Sequence, residues 1–220
     1  MAVGCSGGSN APAGPDLARL DHAVGAVAGA RSEVLAVVDA VQQAATAVDA
    51  TDAACSRGQG QAASAARRTA TPLLRLATGA LKVAAARVVT YRAALRELDA
   101  ASDAVTGPPR EALGRVVRDG QAEAIAIDRF GRTVSALWPE YLRLDTQEGT
   151  WIKRSLTPWY RSDQEGAGAY AVLVDETRSR LTAAREGLVK AATAVSGPSA
   201  TQSATLKAAD QALSGLRSPS

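Results

Sequence analysis

The feature that most constrains this chain is a heptad pattern of small aliphatic residues that runs through most of its length. Apolar residues recur at alternating spacings of three and four, as they do in helices that bury one stripe against a neighbouring helix. The first run contains nine such positions: Leu17, Leu20, Val24, Val27, Val34, Val38, Val41, Ala45 and Val48. Only Arg31 interrupts it. Pro15 and Asp16 precede the run, and both residue types favour a helix start, so the pattern predicts one long helix.

The same periodicity predicts five helices in all. They cover residues 16–52, 71–105, 109–137, 167–195 and, as a short C-terminal helix, 202–216. Residues 53–70 contain two glycines among small polar residues and are predicted to form a loop. Pro139 is expected to kink or end the helix that precedes it, and Pro198 to break its helix, because proline lacks the amide hydrogen that a helix interior needs.

These helices predict an all-α fold, and no segment of the sequence shows the alternation of a strand. The compact turn at residues 106–109 makes its two helices antiparallel neighbours. We therefore expect an elongated antiparallel bundle of four long helices plus the short C-terminal helix. A chain of 220 residues suits one domain, here residues 15–217 behind a flexible tether of residues 1–14. The heptads would serve a dimer as well as a monomer, so the oligomeric state stays open.

An aromatic-rich segment interrupts the alanine-rich pattern. Seven of the eight aromatic residues lie between Phe130 and Tyr170, and residues 138–166 are predicted to form an irregular connection between helices. Such a connection could bind a glycan, an anionic wall polymer, a lipid headgroup or a partner protein. Its aromatic residues could equally form a small core on one end of the bundle. The candidate contact residues are Trp138, Tyr141, Trp151, Arg154, Trp159 and Tyr160.

The N-terminus carries the sequence Ala2-Val3-Gly4-Cys5, followed by a run rich in glycine, serine and proline. It resembles the lipobox of bacterial lipoproteins, and the alanine-rich composition resembles that of actinobacterial envelope lipoproteins. The resemblance implies a lipid on Cys5 and a location at the outer face of the cytoplasmic membrane. The charged and apolar segments of an export signal do not precede Cys5. Either the true start lies upstream of Met1 or the match is accidental, and an accidental match would leave the protein cytoplasmic.

Few residues suggest chemistry. His22 is the only histidine and falls on an outward helix position, so we expect no metal site and no cofactor. Cys55 is expected to be a free thiol. Carboxylates such as Glu140 and Glu148 border the aromatic segment and could cleave a glycosidic bond, but acidic side chains paired with nearby arginines are the commoner arrangement. No catalytic motif is found, and we expect no enzyme activity.

A basic stripe follows the second predicted helix. Residues 53–96 contain no acidic residue, whereas Arg68, Arg75, Lys82 and Arg96 recur at multiples of seven. We expect these side chains to be solvated or to pair with acidic residues of the first helix. Contact with anionic lipid or with wall phosphate is the alternative. Nucleic-acid binding is not expected, because no aromatic residues alternate with the basic ones on this face.

The favoured function is a non-catalytic, membrane-tethered envelope lipoprotein that acts as a binding or scaffolding module through its aromatic segment. Its partners would be the membrane, through Cys5, and an envelope protein or an anionic wall polymer. A carrier of a lipid or an aromatic ligand between the helices is the alternative, and a glycan hydrolase is less favoured. Gly120 and Gly131 bear on the carrier, because they lie on the apolar stripe of the third predicted helix. Tight packing there would weaken the carrier hypothesis, and a void lined by these glycines would strengthen it.

Overall fold

The computed structural model of the protein describes residues 17–57, 59–155 and 164–217, with side chains for 17–57, 59–153 and 174–216. It contains four helices, α1 (Leu17–Ser56), α2 (Gly60–Ser102), α3 (Pro108–Ser155) and α4 (Gln164–Arg217). None of the residues in these ranges forms a strand. The predicted all-α fold is therefore confirmed.

The four helices form an up-down-up-down bundle. Ion pairs join the helices in antiparallel register: Arg87 to Glu33, Arg92 to Asp128, Arg180 to Glu140 and Arg185 to Asp49. With a rise of 1.5 Å per residue, the 40 residues of α1 extend about 60 Å. The turn between α2 and α3 contains Gly107, whose φ of 68° lies in the left-handed region that glycine adopts without strain. Both α2 and α4 touch α1 and α3, and they lie diagonally across the bundle from each other.

The core is a long seam of small side chains. Seven of the nine apolar positions predicted for α1 are buried, and Leu17 and Val24 are half-buried. Tyr91, Phe130 and Trp138 add larger side chains to this core. The heptad pattern therefore predicted the buried face of α1 correctly.

The predicted loop over residues 53–70 is wrong. α1 continues to Ser56 and α2 begins at Gly60, so only residues 57–59 connect them. The segment is rich in alanine, which has the highest helix propensity. Ala63 and Ala70 are also completely buried against the neighbouring helices. Gly60 is the first residue of α2 and therefore does not disturb a helix interior.

Pro139 does not end α3, which continues to Ser155. A proline inside a helix costs about 3 kcal/mol. Trp138, Tyr141 and Leu144 lie around it, each at most 5% exposed, and burial of one such side chain contributes about 1.5–3 kcal/mol. Their burial outweighs the missing hydrogen bond, while the ring of Pro139 is exposed. The predicted irregular connection is therefore not confirmed: residues 138–155 and 164–166 are helical, and 156–163 lie outside the described residues.

Pro198 does not separate a fifth helix either, because α4 runs without a break from Gln164 to Arg217. Val195 and Gln202 are buried on either side of it. Arg31 of α1 donates a hydrogen bond of 2.8 Å to the carbonyl oxygen of Ser199, one residue after the proline. The bundle thus holds both halves of α4 in one helix, and the predicted short C-terminal helix is its last part.

Candidate binding site

Five charged residues form a layer across one end of the bundle, where α1 and α3 end and α2 and α4 begin. This charged layer consists of Asp52 from α1, Arg67 from α2, Asp145 and Glu148 from α3, and Arg178 from α4. The antiparallel order of the helices brings these distant positions together. The layer therefore depends on all four helices.

Arg67 and Asp145 form the strongest pair of the charged layer. The two guanidinium nitrogens Nη1 and Nη2 donate hydrogen bonds of 2.8 and 3.0 Å to the two carboxylate oxygens. Burial raises the pKa of Asp145, and the charge of Arg67 opposes that shift. Gly149 lies one helical turn after Asp145, and a Cβ atom at this position would overlap the guanidinium group of Arg67. The glycine therefore makes room for the pair.

Glu148 is the uncompensated acid of the charged layer. It is 2% exposed, and neither carboxylate oxygen accepts a hydrogen bond from any described residue. Burial, and then the negative charge of Asp52, raise the pKa of Glu148 to about 7. A buried carboxylate without partners loses most of its hydration and gains little in exchange. Glu148 is therefore poised to take up a proton or to meet a positive group.

Arg178 and Asp52 form a looser pair beside Glu148. The Nε atom of Arg178 lies 3.4 Å from Oδ1 of Asp52, and neither atom makes a hydrogen bond. The two side chains line a surface groove of about 560 Å³ between α1 and α4, together with Ser56, Asp175, Ser179 and Thr182. Burial and the charge of Glu148 also raise the pKa of the Cys55 thiol to about 11. The groove gives solvent a path to this part of the layer.

Counted over the side chains that the structure describes, the charged layer is one positive charge short. Its three carboxylates face two guanidinium groups, so full ionisation leaves a net charge of −1 in a largely buried region. Tyr141 lies one turn before Asp145 on α3 and is completely buried. Its hydroxyl group also has no hydrogen-bond partner among the described residues. A proton on Glu148 would balance the charge, and so would an ammonium or guanidinium group from outside.

Two of the predicted contact residues lie in the core. Trp138 is 5% exposed and donates a hydrogen bond of 2.9 Å from Nε1 to the hydroxyl of Thr78, and Tyr141 is completely buried. Their ring centroids are 5.4 Å apart. Neither side chain is available for surface contact, because both belong to the main hydrophobic core of the bundle. The small core that was the alternative is not found for these two residues, since both lie inside α3.

The other predicted contact residues are less fully described. Trp151 is half-buried, one turn after Glu148, and next to Ile152, which packs with Ala54 and Ala63 in a small cluster at this end of the bundle. Arg154 belongs to α3, but its side chain lies outside the described residues. Trp159 and Tyr160 lie outside them too, and so does Cys5. The contact role of Trp151, Arg154, Trp159 and Tyr160 stays a prediction.

A second buried polar cluster lies near the middle of the bundle, and sequence reasoning did not predict it. In this central layer, Arg31 binds both carboxylate oxygens of Glu123 through Nε, at 3.1 and 2.9 Å, and Tyr91 donates a hydrogen bond of 2.7 Å to the same group. Glu123 is completely buried, as is Gln202 of α4. The one signal in the sequence was Arg31, which interrupts the heptad run of α1.

The surroundings of Gly120 and Gly131 on α3 indicate whether the helices pack tightly or leave space between them. A Cβ atom on Gly120 would lie 2.5 Å from Leu95 and 2.9 Å from Gln202, so the helices are in close contact there. Gly131 is half-buried, and a Cβ atom on it would meet nothing within 4 Å. The tight position at Gly120 weakens the hypothesis of a ligand carried between the helices, at that level of the bundle.

The residues considered for catalysis or metal binding are spread out. His22 is exposed, as predicted, and the described residues contain no group of three or more acidic, cysteine or histidine side chains able to hold a metal ion. Glu140 pairs with Arg143 and Arg180 at the surface. It precedes Glu148 by eight residues, or about 12 Å along α3, which exceeds the carboxylate separation of roughly 5–9.5 Å in glycosidases.

Comparison with known proteins adds no relative. No protein-family model matches the chain, and no curated protein and no solved structure is similar to it. Within the described ranges, no helix has an apolar stretch long enough to cross a membrane.

Proposed function

We propose that this protein is a non-catalytic binding module of the bacterial envelope, tethered to the membrane by a lipid on Cys5. Its binding site is the end of the bundle that holds the charged layer and Trp151. The ligand or partner group is positively charged, an amine or a guanidinium. The observation that carries this proposal is Glu148, a nearly fully buried carboxylate to which no described residue donates a hydrogen bond.

The chemistry of this end suits a cation. A buried carboxylate is usually paired, because an unpaired one costs several kcal/mol. An amine that entered beside Asp52 and Glu148 would supply the missing positive charge, and the half-buried Trp151 could cover its alkyl chain. The groove beside Asp52 and Arg178 offers an approach from solvent. The close packing at Gly120 favours such a module over a carrier with a ligand between its helices.

The binding proposal can be tested with simple cations as probes. Thermal unfolding would be followed at pH 8 with and without cadaverine, agmatine or lysine amide, against sodium chloride of equal ionic strength. We expect the amines to raise the melting temperature of the wild type and of Glu140→Gln, an exposed control on the same helix. Glu148→Gln should show no such rise. A wild type that responds to amines no more than to sodium chloride would contradict the proposal.

The membrane tether has its own test. The mass of the N-terminal peptide would be measured for the native protein from envelope and from soluble fractions. A diacylglyceryl group on Cys5 in the envelope fraction is the expected result. An unmodified peptide that begins at Met1 or Ala2 in the cytosol would refute the tether and leave the binding site to be judged by the amine experiment.

A further inference from the structure

We propose that the outer face of α2 is a docking surface for an anionic lipid membrane. This basic face consists of Arg68, Arg75, Lys82 and Arg96 with the aliphatic residues Leu76, Val83 and Val89 between them. The proposal rests on the membrane location proposed above, but not on the cation site or on the lipid itself. It adds an orientation: the bundle lies flat, with α2 against the headgroups.

The four cations share one face and point to solvent. They recur at intervals of seven or fourteen residues, so they occupy the same heptad position on α2, and all four are exposed. Val89 occupies the same heptad position between Lys82 and Arg96, and it is 60% exposed. Together with the four cations it forms a column along the outer side of α2. From Arg68 to Arg96 the column extends about 42 Å along the helix. It is long enough to contact many headgroups at once.

The cations of the basic face have no acidic partner among the described residues. Of the two predicted arrangements, solvated or paired with α1, these cations have the solvated one. Three of the α1 carboxylates bind elsewhere: Asp49 to Arg185, Asp52 to Arg178 and Glu33 to Arg87. The α2 cation that pairs with Glu33 is Arg87, which lies outside the column. No acidic residue occurs between 53 and 96 to offset the charge. Four uncompensated positive charges therefore remain on this surface.

Exposed aliphatic side chains distinguish the basic face from an ordinary charged surface. Leu76 is 58% exposed, Val83 42% and Val89 60%. Leu76 and Val83 directly follow Arg75 and Lys82, so each lies about 100° around the helix from the cation before it, at the edge of the column. Among the described residues only three other large aliphatic side chains are as open, and they belong to α3 and α4. Half of this exposed aliphatic set thus lies on one face of one helix.

A lipid surface accounts for both the cations and the exposed aliphatic side chains of the basic face. Basic residues are attracted to the negative headgroups, while aliphatic side chains enter the boundary between headgroups and acyl chains. A soluble polyanion, such as a wall polymer or a nucleic acid, would use only the cations. The apolar residues therefore favour the membrane over a polymer as the occupant.

The rest of the fold is compatible with this orientation. Cys5 lies twelve residues before Leu17, and an extended tether of that length reaches about 40 Å. A lipid on Cys5 could therefore insert beside the bundle while α2 lies on the surface. Since α4 lies diagonally opposite α2, the groove between α1 and α4 would face away from the membrane. The proposed cation site would then stay open to a partner.

Vesicle flotation with the full-length Cys5→Ser protein tests the proposal, because this variant cannot carry the lipid. Vesicles would contain phosphatidylcholine with 0 or 40% phosphatidylglycerol. We expect binding only to the anionic vesicles, and at least a tenfold loss in Arg68→Gln/Arg75→Gln/Lys82→Gln. The matched control changes three exposed arginines of α3, Arg115, Arg118 and Arg129, to glutamine. It should retain most of the binding.

Two results would overturn the proposal. An equal loss in both triple variants would assign the binding to net charge instead of to the basic face. Full vesicle binding by Leu76→Ser/Val83→Ser/Val89→Ser would show that a simple polyanion suffices and that the membrane is not the specific occupant. Binding of the Cys5→Ser protein to vesicles does not depend on lipidation, so failure of the tether would be seen separately, in the mass of the N-terminal peptide.

Discussion

Glu148 shows how one residue can set the pH dependence of the whole fold. In the unfolded chain its pKa would be near the ordinary value of 4.5, whereas burial raises it to about 7 in the fold. Between these values the folded state binds more protons than the unfolded one, so stability falls as pH rises. Asp52 and Cys55 face Glu148 from α1, Arg67 from α2, Tyr141 and Asp145 from α3, and Arg178 from α4.

We predict that Glu148→Gln removes most of this pH dependence. The wild type should lose about 3 kcal/mol between pH 4.5 and pH 8 through this group, from a shift of roughly 2.5 pKa units. The variant should match the wild type near pH 4.5 and exceed it at pH 8. Urea unfolding at both pH values measures the difference. A variant less stable than the wild type at pH 8 would mean that the ionised carboxylate is well compensated.

Arg31 and Glu123 form a buried charged pair in which Arg31 compensates the negative charge of Glu123. Glu123 is completely buried, and Arg31 supplies its only positive partner in the described structure. Arg31→Met should therefore cost about 3–5 kcal/mol, because it leaves a buried charge unpaired. The double variant Arg31→Met/Glu123→Met should recover a large part of that loss. Chemical unfolding of both variants checks this, and equal losses in the two would contradict it.

The sequence predicted only part of these residue-level features. Arg31 was visible because it interrupts an apolar run, but nothing in the pattern identified Glu123 or Gln202 as its buried neighbours. The carboxylates of the aromatic segment were expected to pair with nearby arginines, whereas Glu148 is buried and accepts no hydrogen bond from a described residue. The partner of a charged side chain, and whether that side chain is buried, depend on the register between the helices. A local sequence pattern does not encode that register.

At the scale of the helix, the position of the Arg67 side chain between α2 and α3 depends on Gly149. The guanidinium of Arg67 lies directly over this glycine to reach Asp145. Gly149→Ala should displace Arg67, leave the buried Asp145 unpaired and cost about 2–4 kcal/mol. Gly25→Ala is the matched control, since a Cβ atom there meets nothing within 4 Å. It should stabilise α1 by about 0.5–1 kcal/mol through helix propensity.

Thermal unfolding measures the effect of the two glycine variants. We expect the melting temperature to fall for Gly149→Ala and to rise for Gly25→Ala. A rise in melting temperature for Gly149→Ala would mean that Arg67 can move aside at little cost. The Arg67–Asp145 pair would then contribute little to stability, as surface ion pairs commonly do.

Helix ends were the least predictable elements. Pro139 and Pro198 are strong local signals for a break, and both are overridden by buried residues on either side, such as Trp138, Tyr141 and Val195. The alanine-rich stretch before residue 70 was read as a loop because of its two glycines, of which Gly60 is the first residue of α2. Periodicity is a property of many residues and predicted the seams well. A helix end depends on a few residues, and tertiary contacts can reverse it.

At the scale of the whole molecule, the diagonal arrangement of α2 and α4 places the two proposed binding surfaces on different sides of the bundle. The basic face of α2 would meet the membrane, and the groove between α1 and α4 would look away from it. Heptads predicted the bundle, but which helices lie diagonally follows only from their assembled contacts. The two proposals are therefore compatible in one orientation, and that orientation can be measured directly.

Two cysteine variants should report this orientation. Val83 on α2 and Val189 on α4 are 42% and 50% exposed, so either position accepts a cysteine and an environment-sensitive fluorophore. In a Cys5→Ser/Cys55→Ala background, anionic vesicles should shift the emission of a label at position 83 to shorter wavelength, and brominated lipids should quench it. A label at position 189 should show neither effect, because α4 lies on the far side of the bundle. Equal quenching at both positions would mean that the protein inserts without a preferred face, and the flat orientation on α2 would have to be abandoned.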